Sequence, residues 1–124
     1  MESLLSVAIG GGVGSVARYI TSVWAANRFG AYFPYGTFIV NVAGCYVIGL
    51  LMILFTEKLV VSTHLQLLLT TGFLGGLTTF SSFTYETIRL VSDGSPRAAA
   101  ANIAANLFIG LLATWGGIMT ARCL

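Results

Sequence analysis

Apolar residues run along this chain in four long blocks, each closed by a short polar cluster. The blocks cover about 4–26, 35–55, 65–91 and 97–121. Each reaches the roughly 20 residues that a transmembrane helix needs. Asn27, Arg28, Gly30 and Pro34 separate the first two blocks, and Thr56, Glu57 and Lys58 end the second. The third opens on what reads as a capping box, with Thr63 as the cap and Gln66 reaching back. Ser92 to Ser95 form a turn, and Ser95 followed by Pro96 suits a helix start. Tyr32, Phe33 and Tyr35 cluster where a membrane–water boundary would fall. Linkers this short make successive helices antiparallel neighbours. The pattern predicts a single all-α membrane domain over residues 1–124, with no internal repeat.

The third block is poorly made for a plain helix. Gly72, Gly75 and Gly76 each cost roughly 1 kcal/mol of helix propensity relative to Ala. Thr78 and Thr79 follow, and then hydroxyls and rings mix through Phe80, Ser81, Ser82 and Phe83 before Glu86. Glycines alone could serve close helix packing. With the hydroxyls and the aromatic pair they predict a break that exposes backbone to something polar. In the first block Gly10, Gly11, Gly12 and Gly14 form a small face. No Lys-Ser/Thr follows it and no strand precedes it, so it reads as a packing face and not a phosphate loop.

Composition fixes the solvent. Hydrophobic residues make up 56% of the 124 and charged residues 8%, against about 25% charged in soluble domains. A net charge of +2, spread along the chain, gives no footprint for nucleic acid. Cys45 and Cys123 have no partner motif and read as reduced packing residues. The N-terminus carries Glu2 in place of a basic region, so the first block reads as a span and not a cleaved signal. With four spans, Lys58 and Arg122 fall on one side, and Arg28, Arg89 and Arg97 on the other. This near-balance gives almost no positive-inside bias. It predicts insertion in both orientations and an antiparallel dual-topology homodimer, which would supply the inverted symmetry that larger transporters build from repeats.

The polar residues inside the spans carry the candidate chemistry. Arg18 either snorkels to the interface or faces a water-filled vestibule that concentrates anions. Asn41 has Thr37 one turn before it on the same face. The pair makes either an interhelical hydrogen bond or donors lining a pathway. Asn102, Asn106, Gly110 and Thr114 recur every four residues and form one polar stripe, read as a hydrated track. Phe80 and Phe83 share a face, and a phenyl ring has a positive edge against which an anion can lie. Glu86 is the one carboxylate deep in a span; it marks a proton or ion path, or pairs with a hydroxyl such as Tyr85 or Thr87. His64 is the only histidine, and no catalytic set, metal-ligand spacing or nucleotide motif is visible. The chain reads as a conduit, not an enzyme.

Three stretches are familiar: Gly10 to Arg18 (GGGVGSVAR), Gly36 to Gly44 (GTFIVNVAG) and Gly72 to Glu86 (GFLGGLTTFSSFTYE). They resemble the bacterial fluoride-channel family, Fluc or CrcB, over essentially the whole chain, and the third stretch is the most specific. The resemblance implies an antiparallel homodimer in the bacterial plasma (inner) membrane with two fluoride pores. It implies that Phe80 and Phe83 line the pores with ring edges and that Asn41 donates a hydrogen bond to the ion. Thr37, Ser81, Ser82, Glu86 and the track of Asn102, Asn106 and Thr114 would add polar contacts, with Arg18 at the vestibule. A structural sodium ion would sit at the dimer centre on the backbone carbonyls of Gly75 and Thr78. Many members carry Tyr where this chain has Asn102, so a tyrosine's role does not transfer. The implied task is passive export of fluoride that enters as neutral hydrofluoric acid and is trapped on dissociation.

The main rival is a small dual-topology multidrug/proton antiporter of similar size. Such proteins use a carboxylate in the first helix, where this chain carries Arg18 and no acid.

Overall fold

The computed structural model describes residues 1–124. Three helices have the length and apolarity to cross a membrane unbroken: α1 (Glu2–Phe29), α2 (Tyr35–Lys58) and α5 (Pro96–Cys123). At about 1.5 Å per residue, the 28 residues of α1 are enough for a tilted crossing of a core about 30 Å thick. The remaining apolar block is split into α3 (63–77) and α4 (Phe80–Ser92). The chain is therefore all-helical, with three helices of spanning length and a further apolar block that is broken in two.

The break is not where the glycines are. Gly72, Gly75 and Gly76 all stay helical, within a wide π-helical stretch over Leu68–Leu74 and a last turn over Gly75–Leu77. Only Thr78 and Thr79 are extended, at φ −82°, ψ 154° and φ −151°, ψ 120°. β-branched residues accept those angles readily. The Thr79 hydroxyl then caps α4 by accepting from the Ser82 N–H at 3.2 Å.

The glycines serve packing instead. A Cβ on Gly10 would lie 2.8 Å from the Phe73 nitrogen, and one on Gly14 would overlap the Phe73 carbonyl. A Cβ on Gly76 would strike Gly11. α1 and α3 therefore touch backbone to backbone, as the small face of α1 suggested. A second seam, between α2 and α5, rests on Gly49 against the Thr114 carbonyl and Gly117 against the Tyr46 carbonyl.

The turns follow local chemistry. Gly30 and Gly94 take φ +91° and +83° after α1 and α4, a region open chiefly to glycine. Ser62, not Thr63, caps α3: its hydroxyl accepts from the Leu65 N–H at 3.2 Å, and Gln66 Nε2 donates to the Val61 carbonyl. The expected box is thus displaced by one residue, because Ser62 holds the extended backbone a cap requires. Phe33 and Tyr35 stack at 4.9 Å, and the Tyr32 hydroxyl donates to Ser95, tying the two turns at that end together.

Only 20 of the 124 residues are buried. Large apolar side chains such as Ile9, Val16, Leu111 and Trp115 face outward. The outer surface is made for hydrocarbon or for another protein surface, not for water.

Candidate functional site

Breaking a helix strands backbone groups that must find partners. At Thr79 one side chain meets both needs. Asn41, on α2, accepts from the Thr79 N–H at 2.8 Å and donates through Nδ2 to the Thr79 carbonyl at 3.1 Å. The second Nδ2 hydrogen goes to Asn106 Oδ1 on α5 at 3.0 Å. Both amide hydrogens of Asn41 are thus engaged within the chain. An ion that took one would replace a bond to Thr79 or Asn106.

The clamp has a further effect. The Thr79 N–H would otherwise close the helical bond to the Gly75 carbonyl, and the Ser82 N–H the bond to the Thr78 carbonyl. Both are diverted, the first to Asn41 and the second to the Thr79 hydroxyl. The Gly75 and Thr78 carbonyls therefore fall outside the helical ladder. Gly75 and Thr78 both line the groove beside the break. Two neutral oxygens freed in this way suit a hard monovalent cation, so the residues fit the sodium site implied for them.

That groove, about 410 Å³ in volume, opens between α2, α3, α4 and α5. Its wall includes Asn41, Asn106, Thr78, Thr79, Phe80 and Phe83. The two rings lie 5.7 Å apart and are tilted by 52°. They differ in setting: Phe83 is 7% exposed and held in the bundle, whereas Phe80 is 73% exposed and projects from it. Ser82 sits at the break, where its hydroxyl accepts from Thr79 at 3.1 Å. Ser81 is exposed beside it, 3.4 Å from the Thr79 hydroxyl.

The other predicted residues lie elsewhere. Thr37 donates to Glu86 Oε1 at 2.8 Å, while Oε2 is buried with no partner. Both belong to a second cavity of about 240 Å³, together with Ser22 and Arg89. Thr37 is the third residue of α2, so Glu86 lies toward the end of the bundle and not deep in a span. Glu86 does pair with a hydroxyl, but with that of Thr37 on α2 and not with Tyr85 or Thr87 as expected; the Thr87 hydroxyl turns to the Phe83 carbonyl. Arg18 is half-buried and donates through Nε to the Gly76 carbonyl at 3.0 Å, a terminal acceptor of α3. A cation at a helix C-terminus is favourably placed.

The stripe on α5 divides. Asn106 reaches the groove. Asn102 is wholly buried and donates to the Thr87 hydroxyl. Gly110 faces the Cys45 sulfur, and Thr114 sits on the Gly49 seam. The residues missed in the sequence are Thr79, whose backbone anchors the site, and Arg89, counted there only as a loop charge. The signal for Thr79 was its place between the glycines and the ring pair.

A family model described as "CrcB-like protein, Camphor Resistance (CrcB)" matches residues 5–118. A fluoride-specific ion channel FluC of Geotalea uraniireducens (strain Rf4) is 47% identical over the whole of both chains. One from Sulfurihydrogenibium sp. (strain YO3AOP1) is 45% identical, again over both in full. A third, from Geobacter metallireducens, is 46% identical over 98% of each.

Proposed function

The chain belongs to the CrcB family, and from that premise we propose that it is a fluoride-specific ion channel. It lets cytoplasmic fluoride leave passively through the groove at the α3–α4 break. Two copies, oppositely oriented in the bacterial inner membrane, complete two such pores. The observation that carries this reading is the break itself, where donor amide, hydroxyls and a phenyl pair converge on one groove between helices.

The chemistry follows from the ion. Fluoride is small and holds its water tightly, so entry requires donors that replace the hydration shell at close range. Asn41 and Asn106 supply amide hydrogens, and Thr79 and Ser82 supply hydroxyls. The positive edges of Phe80 and Phe83 stabilise an anion weakly. Conduction needs this balance, since a site that binds too well does not release. Phe80 projects from its own chain, which suits a ring that lines a pore shared with a second copy. At the other end, Thr37 and Glu86 lie with Arg89 in the smaller cavity. Arg89 attracts anions there and Ser22 offers a hydroxyl, while the Thr37 hydroxyl is committed to Glu86.

The Gly75 and Thr78 carbonyls of both copies would hold sodium, which would supply fixed positive charge there. Arg18, bound to the Gly76 carbonyl, steadies the last turn that presents Gly75.

The test is efflux from liposomes holding the purified protein, read with a fluoride electrode, with chloride as the comparison ion. Rapid loss of fluoride with negligible loss of chloride is expected, weakened when sodium is replaced by a large organic cation. Equal passage of both anions, or no fluoride loss from folded protein, overturns the reading.

A further inference from the structure

The hydrogen bonds around Asn41 form a chain with a single direction. The Thr79 N–H donates to Asn41 Oδ1, and Asn41 Nδ2 donates to Asn106 Oδ1. Asn106 Nδ2 donates to Asn102 Oδ1 at 3.0 Å and to the Asn102 carbonyl at 2.9 Å. Asn102 Nδ2 donates to the Thr87 hydroxyl at 2.9 Å, and that hydroxyl donates to the Phe83 carbonyl at 2.7 Å. The chain crosses from α2 to α5 and back to α4.

Both ends are backbone groups, and neither can reverse. An N–H only donates, so Asn41 must present its oxygen to Thr79. A carbonyl only accepts, so Thr87 must give its proton to Phe83 and receive from Asn102. Each end imposes the same order on the three amides between. Flipping any one of them would set oxygen against oxygen and hydrogen against hydrogen at two junctions. With Asn102 and Thr87 both buried, no water is at hand to relieve such a mismatch, and each unmade bond leaves a buried polar group unpaired.

We propose that Thr87 and Asn102, neither of which lines the groove, are positioning residues that fix the polarity of the anion site. They hold Asn41 and Asn106 with their oxygens committed to donors of the chain. The groups an anion can compete for are then amide hydrogens and never a free carbonyl oxygen. Without that order a freed Asn41 or Asn106 could turn its oxygen into the groove and repel fluoride. The inference rests on the reading of Asn41 as a fluoride donor.

The test combines flux with a direct view of the amide. In Thr87→Val the shape is kept and the hydroxyl lost; Thr87→Ser restores it. Asn102→Ser cuts the same link and can satisfy its own hydroxyl on the preceding turn, so it serves if Thr87→Val does not fold. Fluoride efflux is measured against fluoride concentration. In parallel, the side-chain amide of Asn41 is followed by NMR in protein labelled with ¹⁵N-asparagine and assigned through Asn41→Asp. Expected in Thr87→Val are a half-saturating fluoride concentration raised about fivefold, the worth of one net hydrogen bond, and a shifted or doubled Asn41 amide signal. Thr87→Ser should return both to the wild-type values. Wild-type half-saturation and an unmoved Asn41 signal in Thr87→Val or Asn102→Ser overturn the proposal while leaving the channel reading intact. A moved amide signal with unchanged half-saturation overturns it equally, since polarity would then not govern the site. No fluoride flux from the wild-type protein removes the reading on which it rests.

Discussion

At Phe80 a large apolar ring stands in the open, 73% exposed, three residues before a ring of the same kind that is almost wholly enclosed. This contrast separates two roles that a sequence cannot part. Phe83 contributes to the core as well as to the groove wall, so shortening it costs stability. Phe80 meets its own chain at the Phe83 ring and is otherwise open, so its loss falls mainly on what passes or docks beside it. Phe80→Ile keeps the apolarity and removes the ring edge. If that edge lowers the barrier for transit by about 1.4 kcal/mol, its loss cuts flux about tenfold. The thermal midpoint in detergent should not move. Wild-type fluoride efflux from Phe80→Ile liposomes would remove the ring from the path. Asn41 was legible as chemistry because an amide in an apolar helix needs a partner. Its partner was not legible. The Thr79 backbone lies 38 positions away, and its need for a bond arises only from a break whose position depends on tertiary packing.

The helices show the same division between what spacing announces and what only contact decides. Four spans, short turns and the α1 glycine face could be read because periodicity and small residues are local signals. The break was foreseen but its place was displaced, since propensity is a weak prior that packing overrides. Gly72 and Gly76 remain helical because α1 comes too close there for any side chain. The chain opens at Thr78–Thr79 because Asn41 meets both backbone bonds that Thr79 forgoes. The α2–α5 seam went unread, since Gly49 stands alone in α2, Gly117 has only Gly116 beside it, and their contacts alone reveal the seam. The pair Gly116 and Gly117 tests this at neighbouring positions. A Cβ on Gly117 would overlap the Tyr46 carbonyl, while one on Gly116 meets only the Tyr46 ring at 3.9 Å. Gly117→Ala should therefore destabilise the bundle by about 1–3 kcal/mol, seen as a lower midpoint in thermal unfolding in detergent. Gly116→Ala should be tolerated, because ordinary contact costs nothing and alanine favours a helix. Equal midpoints for the two variants would mean that the seam does not depend on backbone contact.

Taken whole, one copy is an incomplete object. It buries few of its residues, turns Phe80 and long apolar faces outward, and opens its groove on the side where Phe80 projects. A second copy in the same orientation would place like surfaces at the same membrane depth but leave the two faces of the membrane unequal. An inverted copy would make both faces alike. The charges permit this, because Lys58 and Arg122 at one face are matched by Arg28, Arg89 and Arg97 at the other, too small a difference to set orientation. The C-terminal thiol offers a readout. Cys123 is exposed at the end of α5, while Cys45 is half-buried within the bundle. In Cys45→Ser protein, a membrane-impermeant maleimide added to intact cells should label about half of the Cys123 thiols. The same reagent applied to inverted membrane vesicles should reach the complementary half. Adding positive residues beside Arg122 should drive the population to one orientation and, by starving each copy of an inverted partner, lower fluoride efflux. Labelling of Cys123 from one face alone in the unaltered charge background would exclude the antiparallel pair. The shared pores and the sodium site between two breaks would fall with it.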